Sequence, residues 1–407
     1  MSALPFAIAP TRSQARERDT HVSHWGEDVK RILCVRLDRL GDILMTTPAI
    51  HALRTAFPGR HITLLTSSVG AQAAPYLSDV DDVIAYDAPW HGLSPSASPF
   101  ADLDMQRMLE KRRFDAAALF TVYSQSALPA AMLCYLAGIP RRLAHCRENP
   151  YGLLTDWVYE TEPHDGVRHE VERQLALVRK VGATCTDTRM RLSVDADARR
   201  TLSARLAARG LAPQGPWFVI HPGASAASRR YPAHRFGEVA THLARASSWP
   251  ILLTGSSDEA PLVREAIDAA DASIRARLHD CSGLLNMGEF TALIERTAVL
   301  VTNNSGPVHL ASALSTPVVD LYALTNPQHT PWQTAQRVLF RDVECRWCYR
   351  SECPAGHHGC LTGVPPAEVA AAALELAAEC GARHEPDALE HDRTGVDTAC
   401  ASTPISS

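Results

Sequence analysis

Short apolar runs alternate along the first half of the chain with segments of helical spacing. Four runs rich in apolar, β-favouring residues predict strands over residues 31–37, 61–67, 81–87 and 114–121. The segment after the first run has helical spacing, and an alanine-rich helix is expected over residues 128–137. This alternation predicts a parallel sheet that helices cover on both faces.

The alternation restarts after residues 210–217, which are rich in proline and glycine and predict a linker. Beyond the linker, strands are expected in WFVIHPG, PILLTGS, VLVTNN and TPVVDLYA, and helices in FGEVATHLARA, FTALIERTA and PVHLASAL. Two such series predict an α/β protein with two nucleotide-fold domains. Ligands of parallel sheets bind at the carboxyl ends of the strands, where helix N-termini point.

The pattern of apolar and polar positions also predicts where the domains and the terminal segments begin and end. We expect a flexible lead-in over residues 1–28 and a disordered tail over residues 381–407, because both segments are polar and lack a regular apolar period. Between them we expect an N-terminal domain over residues 29–205 and a C-terminal domain over residues 206–380. The length of 407 residues suits two domains of ordinary size.

Composition narrows the class of protein. Lys and Arg number 40 against 45 Asp and Glu, a net charge of -5, which excludes bulk basic character for nucleic-acid binding. Hydrophobic residues make up 46%, which excludes a mainly disordered chain. No run approaches the roughly 20 apolar residues of a membrane span, and the apolar start precedes its charges, unlike a secretory signal. We therefore expect a cytoplasmic protein.

The turn after the first strand carries the first candidate chemistry. Gly41 allows close backbone approach at the end of a strand, and Asp42 opens the following helix. Asp42 is either a general base in a partly desolvated cleft or a cap that accepts hydrogen bonds from the helix amides.

Two further turns are candidate phosphate sites. The turn His221-Pro222-Gly223-Ala224-Ser225 can present backbone N–H groups to a phosphate, with Arg229 and Arg230 nearby, or it is a plain β–α turn with two solvated arginines. The turn over residues 302–306 opens a helix whose N-terminus can hold an anion. His309 lies one turn into that helix, where it is either a ligand contact or a structural histidine.

Cysteines cluster near the end of the chain. Cys345, Cys348, Cys353 and Cys360 enclose His357 and His358. The C-x2-C element is typical of half a structural zinc site, but the usual second half is missing, so disulfides or free thiols are the competing interpretation. An odd total of 11 cysteines argues against a fully paired secreted framework. The sequence contains no P-loop, no G-x-G-x-x-G and no G-x-S-x-G motif.

In order and spacing, these segments resemble glycosyltransferase family 9, the heptosyltransferases of lipopolysaccharide core assembly. The resemblance runs over residues 31–378 and rests on VRLDRLGDILMTTPAIHALRTAFP, FVIHPGASAASRRYPAHRF, LVTNNSGPVHLASALSTPVVDLYALTNPQHTPW and CRWCYRSECPAGHHGC. It implies the GT-B fold, with two facing Rossmann-like domains and a cleft between them. The N-terminal domain would bind the acceptor and the C-terminal domain the nucleotide-sugar donor.

The resemblance also implies an inverting, metal-independent transfer of heptose from ADP-heptose to an inner-core lipid acceptor. Asp42 matches the general base, and Arg36 matches a basic position that helps to bind the acceptor or to stabilise the leaving diphosphate. The matched donor-side positions are Arg229 at the phosphate or sugar, Glu259 at the ribose, Leu285 at the adenine, Ser305 and Gly306 in the phosphate-binding turn, and His309 at the diphosphate.

One departure concerns the donor sugar. Many members carry an acid where this chain has Asn304, which can donate hydrogen bonds but has no charge. The rival interpretations are therefore a transferase for another nucleotide-activated sugar and a non-catalytic nucleotide-sugar binding protein. Because the acceptor is a lipid, we expect peripheral contact with the inner membrane through a local basic patch of Arg39, Arg112, Arg113, Arg141 and Arg142.

Overall fold

The computed structural model describes residues 24–91, 98–211 and 216–381. The chain divides into two compact units. The first comprises the chain up to residue 38 together with residues 46–71 and 79–188. The second comprises residues 39–45 and 72–78 and everything from residue 189 onward.

The first unit is built on a six-stranded sheet whose paired strands all run parallel. Its strands are β1 (Arg31–Arg36), β2 (His61–Thr66), β3 (Asp82–Ala85), β4 (Ala116–Leu119), β5 (Arg141–Cys146) and β6 (Asp156–Tyr159). The strand order is β3-β2-β1-β4-β5-β6. This is the order of a Rossmann sheet, and its direction of winding reverses between β1 and β4.

The second unit repeats that architecture. Its strands are β7 (Phe218–His221), β8 (Ile251–Leu253), β9 (Leu278–Asp280), β10 (Val299–Asn303), β11 (Val318–Leu321) and β12 (Gln336–Leu339). The sheet order β12-β11-β10-β7-β8-β9, again with parallel pairs, is the Rossmann order taken from the opposite edge. Its winding reverses between β7 and β10.

Helices connect the parallel strands. In the described residues they are α1 (Leu40–Ala56), α2 (Pro99–Arg112), α3 (Leu128–Leu136), α4 (Glu170–Arg179), α5 (Ala196–Ala207), α6 (Ala233–Ala246), α7 (Ala260–Ala269), α8 (Met287–Arg296), α9 (Gly306–Ala313), α10 (Gly359–Thr362) and α11 (Pro366–Glu379). Within these described segments, every helix is too short or too polar to span a bilayer.

Each unit has its own apolar core. In the first, Leu33 and Leu119 of adjacent strands pack with Leu109 of α2. In the second, Phe218 of β7 packs with Phe236 of α6 and other apolar side chains. The strands carry near-continuous runs of buried residues because helices cover both faces of a parallel sheet.

The structure corrects two expectations about the chain's organisation. Residues 189–205, which we expected in the N-terminal domain, group with the second compact unit, as do residues 39–45 and 72–78. In that unit α5 packs on α8, with Arg205 Nε 2.9 Å from Glu289 Oε1. Residues 24–28 of the expected flexible lead-in are ordered, since Trp25 is buried and its backbone N–H donates to Val181. Residues 1–23 of the lead-in and 382–407 of the tail lie outside the described residues.

Candidate active site

The winding of the second sheet reverses between β7 and β10, and this reversal brings the two predicted phosphate turns together. The strands β7 and β10 are neighbours, so the loops that follow them meet at one edge. The buried Asn303 side chain joins these loops, because its Nδ2 donates to the carbonyl of Pro222 (2.8 Å) and its Oδ1 accepts from the N–H of Tyr231 (2.8 Å). Ser305 Oγ lies 3.4 Å from the carbonyl oxygen of Gly223.

The second of these turns leads into α9. Ser305 is the N-cap residue, Gly306 is the first helical residue and Pro307 occupies the first turn, where a missing N–H costs nothing. The first backbone N–H groups of such a helix have no partner within the helix and favour an anion. His309 lies one turn in and is buried. The turn therefore opens a helix, as its sequence indicates, and anion binding there stays a prediction.

Glu259 lies beside the first turn, on the loop after β8. Its Oε2 accepts from the N–H of Ser256 (2.9 Å) and from the Oγ of Ser256 (3.1 Å), which forms a capping box. A Cβ at Gly223 would collide with the Glu259 carboxylate, so only glycine permits this approach. Burial lowers the pKa of the nearby His221, whose Nδ1 lies 3.1 Å from Thr254 Oγ1.

Leu285 lies in the loop before α8, next to the Glu259 loop. The N–H of Gly283 donates to the carbonyl of Gly255 (2.9 Å), and a Cβ at Gly283 would lie 2.7 Å from Ser257 Oγ. Leu285 itself is half-buried. The structure thus places the predicted ribose and adenine positions on adjoining loops.

The cysteine-bearing segment holds the Arg229 loop in place. Ser228, adjacent to Arg229, donates from its N–H to the carbonyl of Ser351 (2.9 Å) and from its Oγ to the carbonyl of Arg350 (2.6 Å). The N–H of Trp347 donates to the carbonyl of Leu324, in the loop after β11 (2.7 Å). The segment therefore bridges two loops, one after β7 and one after β11, at the carboxyl edge of the second sheet.

The zinc interpretation of this segment is wrong for the arrangement found. The thiols of Cys345, Cys348, Cys353 and Cys360 line one small cavity together with His357 and His358. All four are free thiols. However, no set of three or more His, Cys, Asp or Glu side chains in the described segments is arranged to hold a metal ion. The alternative of free thiols holds, and burial raises the pKa of Cys360.

Asn304 is held by an acid that sequence reasoning did not single out. Its Nδ2 donates to Asp320 Oδ2 on β11 (2.8 Å) and to the carbonyl of His329 (2.8 Å). Asp320 is fully buried, which raises its pKa to about 8. The sequence did carry a signal, since Asp320 interrupts the otherwise apolar run of a central strand.

The start of α1 belongs to the second unit and lies against His309. A Cβ at Gly41 would sit 2.6 Å from Cδ2 of His309, so the imidazole approaches the α1 backbone where no side chain intervenes. Asp42 follows in the first turn of α1 and is partly exposed. The structure therefore places the predicted base one residue from the contact with the predicted diphosphate histidine.

Arg36, at the end of β1, is fully buried in the first unit. Its Nη1 donates to Glu170 Oε1 (2.8 Å), and its Nε lies 2.7 Å from Asp38 Oδ2. Gln174 Nε2 also donates to Glu170 Oε1 (2.7 Å) and to the carbonyl of Thr121 at the end of β4 (3.0 Å). Sequence reasoning found Arg36 but missed Glu170, because the two are 134 positions apart.

A family model and several known proteins match this chain in sequence. The model of "Glycosyltransferase family 9 (heptosyltransferase)" matches residues 103–358. Lipopolysaccharide heptosyltransferase 2 of Escherichia coli K12 is 24% identical over 350 residues, which span 83% of this chain and 96% of the relative. Lipopolysaccharide heptosyltransferase 3 of the same strain is 25% identical over 299 residues, or 72% and 82% of the two chains.

Two solved structures share the fold. A family 9 glycosyltransferase from Veillonella parvula superposes with a TM-score of 0.73 at 22% identity, over 88% of this chain and 100% of the other. The ADP-heptose lipopolysaccharide heptosyltransferase II of E. coli gives 0.68 at 23% identity, over 86% and 98%. Together with the two Rossmann-like units, these likenesses confirm the GT-B prediction.

A prediction concerns the buried ion pair at Arg36. Arg36→Met leaves Glu170 buried without its counter-charge, so the free energy of unfolding should fall by about 3–5 kcal/mol. The double variant Arg36→Met with Glu170→Met should recover part of that loss, because it removes the stranded charge as well. Urea denaturation followed by tryptophan fluorescence measures both.

The matched control is Arg107→Met, which removes an exposed arginine paired with Asp104 on α2. Its effect should be within about 1 kcal/mol. A loss in Arg36→Met no larger than in this control would contradict the structural assignment of Arg36.

Proposed function

Because the chain belongs to glycosyltransferase family 9 (heptosyltransferase), we propose that it transfers a heptose from ADP-heptose to a lipopolysaccharide inner-core acceptor, with inversion and without a catalytic metal. The observation that carries the proposal is the edge where Gly223, Glu259 and Ser305 adjoin at the N-terminus of α9. A pyrophosphate fits such an edge, since helix N-termini and small residues expose backbone N–H groups.

In the proposed reaction, the Asp42 carboxylate accepts the proton of an acceptor hydroxyl. The hydroxyl oxygen then forms a bond to the anomeric carbon of the heptose, while the bond from that carbon to the β-phosphate oxygen breaks on the opposite face. ADP leaves with the electron pair. The partial positive charge at the α9 N-terminus and the guanidinium of Arg229 stabilise the charge that develops on the diphosphate.

The remaining residues position the donor. Glu259 accepts hydrogen bonds from the ribose hydroxyls, Leu285 contacts the adenine, and Ser305, Gly306 and His309 hold the diphosphate. The Ser228 hydrogen bonds to the cysteine-bearing segment fix the loop from which Arg229 extends. Arg36 serves the acceptor side by holding Asp38 and the end of β1, because its own guanidinium is fully buried.

Two other interpretations keep the fold but change the activity. The first is a donor with a different nucleotide-activated sugar, because Asn304 stands where many members of the family carry an acid. A protein that only binds a nucleotide sugar would keep the donor site without using Asp42 as a base.

We further propose that the first unit contacts the membrane through exposed apolar side chains rather than through the expected basic patch. Arg142 is buried and donates to the carbonyls of Leu153 (2.7 Å) and Gly152 (2.9 Å). Arg112 pairs with Asp82, and Arg141 with Asp28. Of the five arginines of the expected patch, Arg39 and Arg113 are the ones classed as exposed.

The apolar alternative lies on α2 and α3. Five large hydrophobic side chains of these helices are exposed, namely Phe100, Leu103, Met132, Tyr135 and Leu136. The helices are joined by a hydrogen bond from Gln106 Nε2 to the carbonyl of Leu136 (2.8 Å). A group of exposed large hydrophobic residues on neighbouring helices favours burial in a bilayer interface.

The proposed reaction is tested by incubating the purified protein with ADP-heptose and heptose-deficient lipopolysaccharide. We expect release of ADP and a mass gain of one heptose in the acceptor, with the same rate after treatment with EDTA. Transfer from another nucleotide sugar but not from ADP-heptose would contradict the donor, and loss of activity on chelation would contradict the metal-free mechanism.

Asp42→Asn tests the base. Asparagine still accepts hydrogen bonds from the helix amides, so the fold should persist while kcat falls by about 10²–10⁴. Binding of ADP, measured by calorimetry, should change by less than about twofold, because the base does not touch the nucleotide. The matched control is Asp104→Asn on the exposed face of α2. Equal turnover in Asp42→Asn and the control would refute the assignment.

Vesicle flotation tests the membrane contact. Replacing Phe100 and Leu136 with serine should lower the vesicle-bound fraction about tenfold or more, since each buried apolar side chain contributes about 1.5–3 kcal/mol. Binding should persist at high salt. Val69→Ser, which removes another exposed apolar side chain of the same unit, is the control. If high salt abolishes vesicle binding and the double variant binds as the wild type does, the arginines make the membrane contact and the apolar side chains do not.

A further inference from the structure

Asn304 and Asp320 form a buried polar pair behind the turn that opens α9. Asp320 lies on β11 opposite Thr302 of β10, two residues before Asn304. The N–H of Asn304 also donates to the carbonyl of Leu321, the residue after Asp320 (3.2 Å). The turn is therefore joined to β11 by both its backbone and its side chain.

The hydrogen-bonding capacity of Asn304 explains why an amide stands here. Its Nδ2 donates to two acceptors, Asp320 Oδ2 and the carbonyl oxygen of His329, each at 2.8 Å. A carboxylate at position 304 has no proton for either acceptor and would face two oxygen atoms. The acid on β11 and the amide in the turn thus form one complementary unit.

Asp320 is costly to bury, because the Asn304 amide supports only one of its carboxylate oxygens. The other, Oδ1, is buried and has no hydrogen-bond partner in the described part of the chain. Burial dominates its pKa, which the hydrogen bond from Asn304 only partly lowers. Among the titratable groups around it, Tyr322 is buried and interacts electrostatically with Asp320, and Arg229 and Tyr349 interact in turn with Tyr322. A buried acid that no cation of the described residues pairs with points to a role beyond packing.

We propose that Asp320 is a positioning residue of the donor site: it holds Asn304, and through Asn304 it fixes the turn of Ser305 and Gly306 against the loop of His329. The proposal rests on the proposed donor site, because it is the nucleotide diphosphate that this turn would bind.

Ionisation of Asp320 also affects stability in a defined direction. The folded pKa of about 8 exceeds the ordinary value of 3.8, so the folded protein keeps a proton that the unfolded chain loses. The free energy of unfolding of the wild type should therefore fall relative to that of Asp320→Asn as the pH rises from about 4 to about 8, and the difference should be constant above that range. This profile verifies that Asp320 is buried as described and that the variant folds.

The experiment measures ADP binding by calorimetry and the donor KM in four variants. Asp320→Ala removes the acceptor of the Asn304 hydrogen bond and should weaken ADP binding about tenfold, with the acceptor KM unchanged. Asp320→Asn should recover most of that loss, since its Oδ1 can still accept. Asn304→Asp should bind weakly, and the exchange Asn304→Asp with Asp320→Asn should bind better than Asn304→Asp alone, because the pair is restored with its polarity reversed.

The matched control is Asp268→Ala on the exposed face of α7, which should bind ADP as the wild type does. If the wild type binds no ADP, the proposed donor fails and the inference fails with it. If the wild type binds ADP and Asp320→Ala binds it equally well, the inference alone is overturned. Should Asp320→Ala not fold, failure of the exchange to improve on Asn304→Asp would overturn the inference instead.

Discussion

The proposed donor site depends on hydrogen bonds that join neighbouring loops at one sheet edge. Asn303 is the centre of this arrangement, since its buried amide holds the loop after β7 at Pro222 and Tyr231. Because parallel strands deliver their carboxyl ends to the same edge, one buried asparagine can fix two loops from distant parts of the sequence. Without that link, the α9 N-terminus and the Gly223 turn would have no fixed separation, and a diphosphate needs both.

The two units accommodate their buried charged side chains in different ways. The first neutralises its buried charge, as Arg36 does with Glu170. The second keeps Asp320 beside an amide, but burial outweighs the hydrogen bond from Asn304 and raises the pKa of the acid. Both arrangements follow the rule that buried polar groups need partners, and both place those partners at strand ends close to the candidate ligand positions.

The sequence was sufficient for the parts of the fold that local patterns determine. The strands β1, β2, β7 and β10 were predicted within two residues, since buried parallel strands are short apolar runs bounded by turns. The strands β5, β6, β9 and β12 were not predicted. Strand β5 begins with Arg141 and Arg142, and β6 is a short edge strand that contains Asp156. Because these charged residues interrupt the apolar run, neither strand stands out in the sequence.

The residues of the candidate site also differ in whether local sequence patterns reveal them. Ser305, Gly306 and His309 were identifiable because a strand, a turn and a helix N-terminus follow one another in sequence. Glu170 was not, since only the tertiary fold brings it near Arg36. Asp320 interrupts an apolar run in the sequence, but its contact with Asn304 depends on the tertiary fold. The cysteine spacing suggested zinc, and the four thiols do line one cavity, but the described side chains are not arranged to hold a metal ion. Their segment instead anchors the loop of Ser228.

The most direct test of the proposed donor site is ligand-induced thermal stabilisation of the wild-type protein by ADP, UDP, GDP, CDP and CMP. A nucleotide at about 100 times its dissociation constant adds about 2.7 kcal/mol of stability, a readily measured shift in melting temperature. We predict selective stabilisation by ADP. Selective stabilisation by another nucleotide, or no response to any of them, would contradict the proposed donor site.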